Sequence, residues 1–256
     1  MNAHVDALQI GEGANQLLAL HASGSGARSL SAFARALGED VTVTIANLHG
    51  YGGSRCDVEE ITSLEQHFEV ALAALTSLGE APVHLFGHSM GGVVALELAS
   101  RYPEKIASLH LAEPVTFGVL HRSEDADVIA QDRASIAAFA QGASDGLSTF
   151  IEYWNGSPWQ ALPERARSEL GALREQIARE ALEVSANNAS TDPYRTLQCP
   201  VQLLAGARTN PVAKRICRRL SQQFPGWDVA EVPDAGHMLP MEQPDRVAAL
   251  VANYLR

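Results

Sequence analysis

Several features are scarce in this sequence, and each scarcity removes a class of protein. No uncharged apolar run approaches the roughly 18 residues that a transmembrane helix requires, so no membrane span is expected. Only three cysteines occur, Cys56, Cys199 and Cys217, without CxxC spacing. An odd, sparse set fits a reducing compartment and argues against a disulfide framework or a cysteine zinc site. Basic residues are outnumbered, 19 Lys+Arg against 30 Asp+Glu, for a formal net charge of −11. Nucleic acid and anionic membranes call for clustered Lys and Arg, so neither is expected as a partner. The opening segment MNAHVDALQIGEG has neither a basic start nor an apolar core and does not read as a secretory signal. No internal repeat, phosphate-binding glycine loop or metal-ligand cluster stands out, so no cofactor and no metal are expected. The remaining picture is a globular cytoplasmic protein. Its 256 residues, 46% hydrophobic and 19% charged, suffice for a sizeable core in one domain with or without an inserted lobe.

What is present alternates. Short apolar runs at 16–21, 41–46, 82–86, 106–112, 201–205 and 227–232 read as strands. Between them, Leu64, Phe68, Ala71, Leu72 and Leu75 mark an amphipathic helix, as do Val212, Ile216 and Leu220 further on. Strand–helix alternation with nearly continuous apolar strands predicts a parallel sheet covered on both faces. From about 119 to 192 the pattern is helical without a convincing strand. Ala166, Leu170, Leu173 and Ile177 fall at helical spacing, and 149–159 is rich in aromatics. The expected organisation is therefore an α/β core at 1–118 and 193–256 with a helical cap at 119–192.

The strongest local signal is Gly87-His88-Ser89-Met90-Gly91, a G-x-S-x-G placed directly between a strand and a helix. A serine on so sharp a turn needs small neighbours two residues to either side, and the helix start behind it favours developing negative charge. In this context the sequence resembles the α/β-hydrolase family along nearly its whole length. His21-Ala22-Ser23-Gly24 is similar to the family's oxyanion loop, with Ala22 where Gly is usual. Asn47 to Ser54 is similar to its D-x-x-G-x-G-x-S loop, with Asn47 replacing Asp. Asp234-Ala235-Gly236-His237-Met238 resembles its catalytic histidine loop. The resemblance implies a mostly parallel sheet flanked by helices, a helical cap insertion and, because little chain precedes Gln16, a shortened first hairpin.

The resemblance also implies roles. Ser89 would be the nucleophile and His237 the base that activates it. The usual acid position, in the loop after the strand at 201–205, is vacant, since no carboxylate occurs from Gly206 to Arg219. Glu113 stands at the end of the preceding strand, where some haloalkane dehalogenases of the same superfamily carry the acid. It is the first choice, against Asp234, Asp192, Asn210, Thr209 as a neutral partner, or no acid. The backbone N–H groups of Met90 and Ser23 are the expected oxyanion hole, with Ala22 as second choice. His21, His88, Phe139, Trp154 and Trp159 are candidate pocket residues, with Phe150 and Tyr153 nearby. His84 reads as a sheet-face residue. The implied reaction is hydrolysis of a carboxylic ester, or a related acyl bond, of a small apolar molecule. Carbon–carbon bond hydrolysis, thioester hydrolysis, acyl transfer and a non-catalytic ligand-binding role remain open on the same scaffold. Oligomeric state is not legible.

Overall fold

The computed structural model describes residues 3–58 and 61–255. The chain opens with β1 (Ala3–His4), β2 (Ala7–Ile10) and β3 (Asn15–Leu20), then α1 (Ser31–Ala36), β4 (Val41–Ala46) and β5 (Arg55–Cys56). Next come α2 (Ser63–Ser77), β6 (Val83–His88), α3 (Met90–Arg101) and β7 (Ile106–Ala112). Four helices follow without a strand: α4 (Ala126–Ala140), α5 (Gly146–Asn155), α6 (Glu164–Ala172) and α7 (Arg174–Ala186). The chain then returns through β8 (Val201–Gly206), α8 (Pro211–Gln223), β9 (Asp228–Val232), α9 (Leu239–Glu242) and α10 (Pro244–Ala252).

Seven strands form one sheet in the order β2-β4-β3-β6-β7-β8-β9. All neighbours are parallel except β2, which runs antiparallel to β4 at the edge. The usual first hairpin is thus reduced to a single edge strand, while β1 pairs separately with β5. Side chains alternate faces along a strand, and both faces are apolar. Leu18 and Leu20 join the core under α2 and α3, whereas Leu17 and Ala19 join the core under α1 and α10. At about 25 cal/mol per Å² of buried apolar surface, this double burial is what fixes the register of the central strands.

Local chemistry sets the helix starts. Thr62 caps α2 by accepting from the Glu65 N–H at 3.3 Å. Asn210 caps α8 by accepting from Ala213 N–H at 2.9 Å, with Pro211 at the first turn. The helical spacing of Ala166 to Ile177 crosses a break: α6 ends and α7 begins on either side of Leu173. A third apolar cluster, around Phe139, Phe150 and Ile177, holds α4, α5 and α7 together. Asp125, buried at the start of α4, accepts from Arg215 (2.7 Å) and Arg219 (3.0 Å) and ties this layer to α8. No helix among the described residues is long and apolar enough to cross a membrane.

Candidate active site

Ser89 sits between β6 and α3 with φ 55° and ψ −118°, a left-handed conformation that costs a non-glycine residue energy. The flanking glycines make the turn possible. A Cβ on Gly87 would lie 2.5 Å from the Gly91 carbonyl oxygen, and one on Gly91 would lie 2.5 Å from the Leu20 and His21 carbonyl oxygens. Any side chain at either position would push the helix off the sheet.

The turn holds the Ser89 hydroxyl 2.9 Å from Nε2 of His237. The other ring nitrogen, Nδ1, lies 2.6 Å from Oε2 of Glu113. A carboxylate accepts only, so Nδ1 carries the hydrogen and Nε2 accepts from the serine. Glu113 is itself at positive φ, 45°. Its Oε1 accepts from Gly206 N–H at 2.7 Å, and its Oε2 accepts from the Thr209 hydroxyl at 2.6 Å. Thr209 therefore touches the carboxylate, not the imidazole.

The alternative acids lie elsewhere. Asp192 is exposed and bonded to Ser190. Asn210 is spent on capping α8. Asp234 has positive φ, and its carbonyl accepts from Arg208. His88 is buried, and its Nε2 donates to the His237 carbonyl at 2.8 Å, which steadies the histidine loop. Burial, then the neighbouring His237, drives its pKa down to about 3.

Ser89, Met90, Ser23 and His237 all line one cavity of about 920 Å³. Among the described residues, neither the Met90 nor the Ser23 backbone N–H is engaged in a hydrogen bond. Trp154 also lines the cavity, its ring centroid 4.7 Å from that of His237.

Four expected pocket residues do not reach the cavity. His21 is fully buried, its Nδ1–H donating to the Ala22 carbonyl at 2.8 Å and its Nε2 accepting from Leu48 N–H at 3.0 Å. Burial lowers its pKa to about 4, so it stays neutral and can accept. His88 is committed as described. Phe139 stacks on Phe150 inside the helical layer, and Trp159 packs at the edge of that cluster. In each case tertiary packing outweighs nearness in sequence. Phe150 lines the cavity; Tyr153 does not.

Sequence reasoning missed two buried carboxylates on the cavity wall, Glu180 and Asp132. Glu180, on α7, accepts from the Ser23 hydroxyl, Tyr51 hydroxyl (2.7 Å), Gln176 (2.9 Å) and His67 (3.1 Å). Tyr51 in turn accepts from Gly24 N–H at 2.7 Å. Burial by itself would raise the Glu180 carboxyl, but the bond and charge of His67, with Ser23 and Tyr51, hold it below the ordinary value. A signal existed: Glu180 lies in the stripe Ile177–Glu180–Val184, and Asp132 in the stripe Val128–Asp132–Ile136. A charge at a core position of a helix is not a solvated face.

Comparison with known proteins agrees with the fold. The model described as "Alpha/beta hydrolase family" matches residues 17–250. A Bacillus subtilis protein named putative 2-succinyl-6-hydroxy-2,4-cyclohexadiene-1-carboxylate synthase is 30% identical over 184 residues, 68% of this chain and 65% of the relative, less than two thirds of its length. A pimeloyl-[acyl-carrier protein] methyl ester esterase from Chromobacterium violaceum is 28% identical over 93% of this chain and 91% of its own. The structure of a thermophilic esterase from Thermogutta terrifontis superposes with a TM-score of 0.76, covering 98% of this chain and 93% of that one at 24% identity. That last likeness speaks for the fold alone. The chain belongs to the alpha/beta hydrolase family.

Proposed function

We propose that this hydrolase cleaves a carboxylic ester of a small, fairly apolar molecule through an acyl-enzyme. The hydrogen-bonded line from Ser89 through His237 to Glu113, on the wall of a large cavity, carries the reading. Ser89 Oγ adds to the ester carbonyl while His237 Nε2 takes its proton. Glu113 keeps the ring in the tautomer that can accept and stabilises the imidazolium. The N–H groups of Met90 and Ser23 bind the oxyanion, each donor contributing about 10²–10³ in rate. His237 then gives the proton to the leaving alkoxide. Water, activated by the same histidine, releases the acid and restores Ser89. Residues 119–192 act as a cap over a core of 1–118 and 193–256. The substrate is a small molecule met in the cytoplasm, with neither nucleic acid nor membrane as partner and with no cofactor.

The Chromobacterium violaceum relative, named a methyl ester esterase, supports ester chemistry. The Bacillus subtilis relative, named a synthase, favours a second reading in which the same Ser89 and His237 serve another reaction of the scaffold. A fluorophosphonate probe is expected to label Ser89 and to leave Ser89→Ala unlabelled; an unlabelled wild type would instead indicate a ligand-binding role. Purified Ser89→Ala should lose about 10⁴–10⁶ in kcat with an unchanged melting temperature. A panel of ester, thioester and vinylogous diketone then separates the chemistries, the ester being expected to turn over fastest.

A further inference from the structure

Asp132 stands in the buried stripe of α4, among Val128, Ile136 and Phe139. Its side chain is fully taken out of water. Oδ2 accepts from the Ser185 hydroxyl of α7 at 2.7 Å. Oδ1 has no hydrogen-bond partner among the described residues. Asp132 and Ser185 line the same cavity as Ser89 and His237, whose wall also includes the apolar Val115, Phe117 and Ile151. Two further buried polar atoms of the helical layer, the Tyr153 hydroxyl and Trp154 Nε1, are likewise without partners.

An unpaired buried acceptor costs about 1–3 kcal/mol, and more when charged. Pinning α4 to α7 does not account for that cost, because the Ser185 bond uses only one carboxyl oxygen and a neutral side chain would serve. Glu180 makes the contrast: both its oxygens are filled by protein donors. The cavity's arginines, Arg28 and Arg165, are exposed side chains and are not bonded to Asp132.

We infer that the Asp132 end of the cavity is a subsite for a hydrogen-bond-donating group of the substrate, a hydroxyl or an ammonium, with Asp132 Oδ1 as its acceptor. This rests on the reading of Ser89 as the nucleophile and narrows it. The substrate class is an ester whose apolar body carries a polar donor away from the carbonyl. A methyl in that place leaves Oδ1 unpaired, and a carboxylate meets like charge. Burial, opposed by the Ser185 bond and by Arg133, raises the Asp132 carboxyl to about 6.

The test uses aryl esters with one leaving group and acyl chains of graded length, each ending in methyl, hydroxyl, ammonium or carboxylate. At the length that reaches Asp132, the hydroxyl or ammonium ester should exceed the methyl ester in kcat/KM by about tenfold or more, with the carboxylate lowest. In Asp132→Leu the order should reverse, methyl above hydroxyl. Asp132→Asn, nearly isosteric and so protected against misfolding, should keep the preference for hydroxyl and lose that for ammonium. Dissociation constants of the same esters on Ser89→Ala, which cannot turn over, should follow the same order and read the subsite even when nothing is hydrolysed. Methyl equal to or above both donors at every length, or a preference unchanged in Asp132→Leu, overturns the subsite. Failure of the serine mechanism shows separately, as no fluorophosphonate label on Ser89.

Discussion

Glu113, at the end of β7, and Asp132, on α4, are both carboxylates removed from water, but the two regions treat them differently. In the sheet region every acceptor of Glu113 is used: Gly206 N–H on one oxygen, Thr209 and His237 on the other. In the helical region one Asp132 oxygen has no hydrogen-bond partner among the described residues. The difference teaches how the labour is divided. A group that must hold its geometry through a reaction cycle is saturated by rigid neighbours. A group meant to meet a ligand keeps capacity in reserve. Glu180 belongs to the first kind although it sits on α7, because its bonds reach down to Ser23 and Tyr51 in the loops that follow β3 and β4.

The largest effect that sharpens this contrast is loss of the saturated carboxylate. Glu113→Gln preserves shape but removes the charge that orients His237. A loss of about 10⁴ in kcat is expected, the scale of an Asp-to-Asn change in a protease triad, with little shift in melting temperature. Thr209→Ala removes only one of the donors to Glu113 and should cost about tenfold or less. Comparable losses in the two variants would mean that Glu113 acts by packing, not charge.

A middle effect comes from the strut between the regions. Glu180→Gln weakens the bonds to Ser23, Tyr51 and His67 together. The loop carrying Ser23, proposed as an oxyanion donor, should shift, lowering kcat by about 10–100-fold while KM changes less, since small misplacements of catalytic groups are costly. If kcat holds and only the melting temperature falls, Glu180 is a structural tie and the two regions are uncoupled.

The sheet region is also where the sequence was most legible, for a physical reason. The elbow is local: strand, small residue, serine, small residue and helix are contiguous, so Ser89 and the glycines around it could be read directly. Apolar runs buried on both faces announced the central strands. The partners of Ser89 needed a family resemblance, because His237 and Glu113 come close only through the sheet's crossovers. The pocket was least legible. Phe139 and Trp159 looked like walls but pack within their own layer, and His21 and His88 lie close to Ser89 yet spend their nitrogens on the backbone. Aromatic composition does not say which face of a helix a ring takes. The polar breaks in the apolar stripes, Asp132 and Glu180, were readable as core positions and line the cavity together with Phe150 and Trp154.

A smaller effect tests the sheet side's buried histidines. Burial lowers His88 to about 3, and His21 and His110 to about 4, from 6.5. Below pH 6.5 the unfolded chain takes up protons that the folded chain refuses. Their contribution to stability is therefore intact above about 6.5 and is lost as pH falls toward 4 and 3. Urea midpoints should drop steadily across that window, and His110→Gln should make the slope shallower. A midpoint independent of pH there would show that these rings are charged in the folded protein.

The smallest effect lies on the other side of the comparison, and it has the opposite sign. Burial raises Asp132 from 3.8 to about 6, against the pull of the Ser185 bond and Arg133. Between those values the unfolded chain has released a proton that the folded chain still holds. Stability contributed by this group accordingly falls as pH rises from 3.8 to about 6 and stays low above it. Asn at this position does not titrate. The cost of its buried amide is independent of pH, so it displaces the stability curve without bending it. The Asp132→Asn advantage over wild type should therefore grow across that window by on the order of 1 kcal/mol and then level off. The acid slope from the histidines is common to both proteins and cancels in the difference. A difference flat across the window would show that Asp132 is already paid for by a partner in the folded state, and the contrast with Glu113 would collapse.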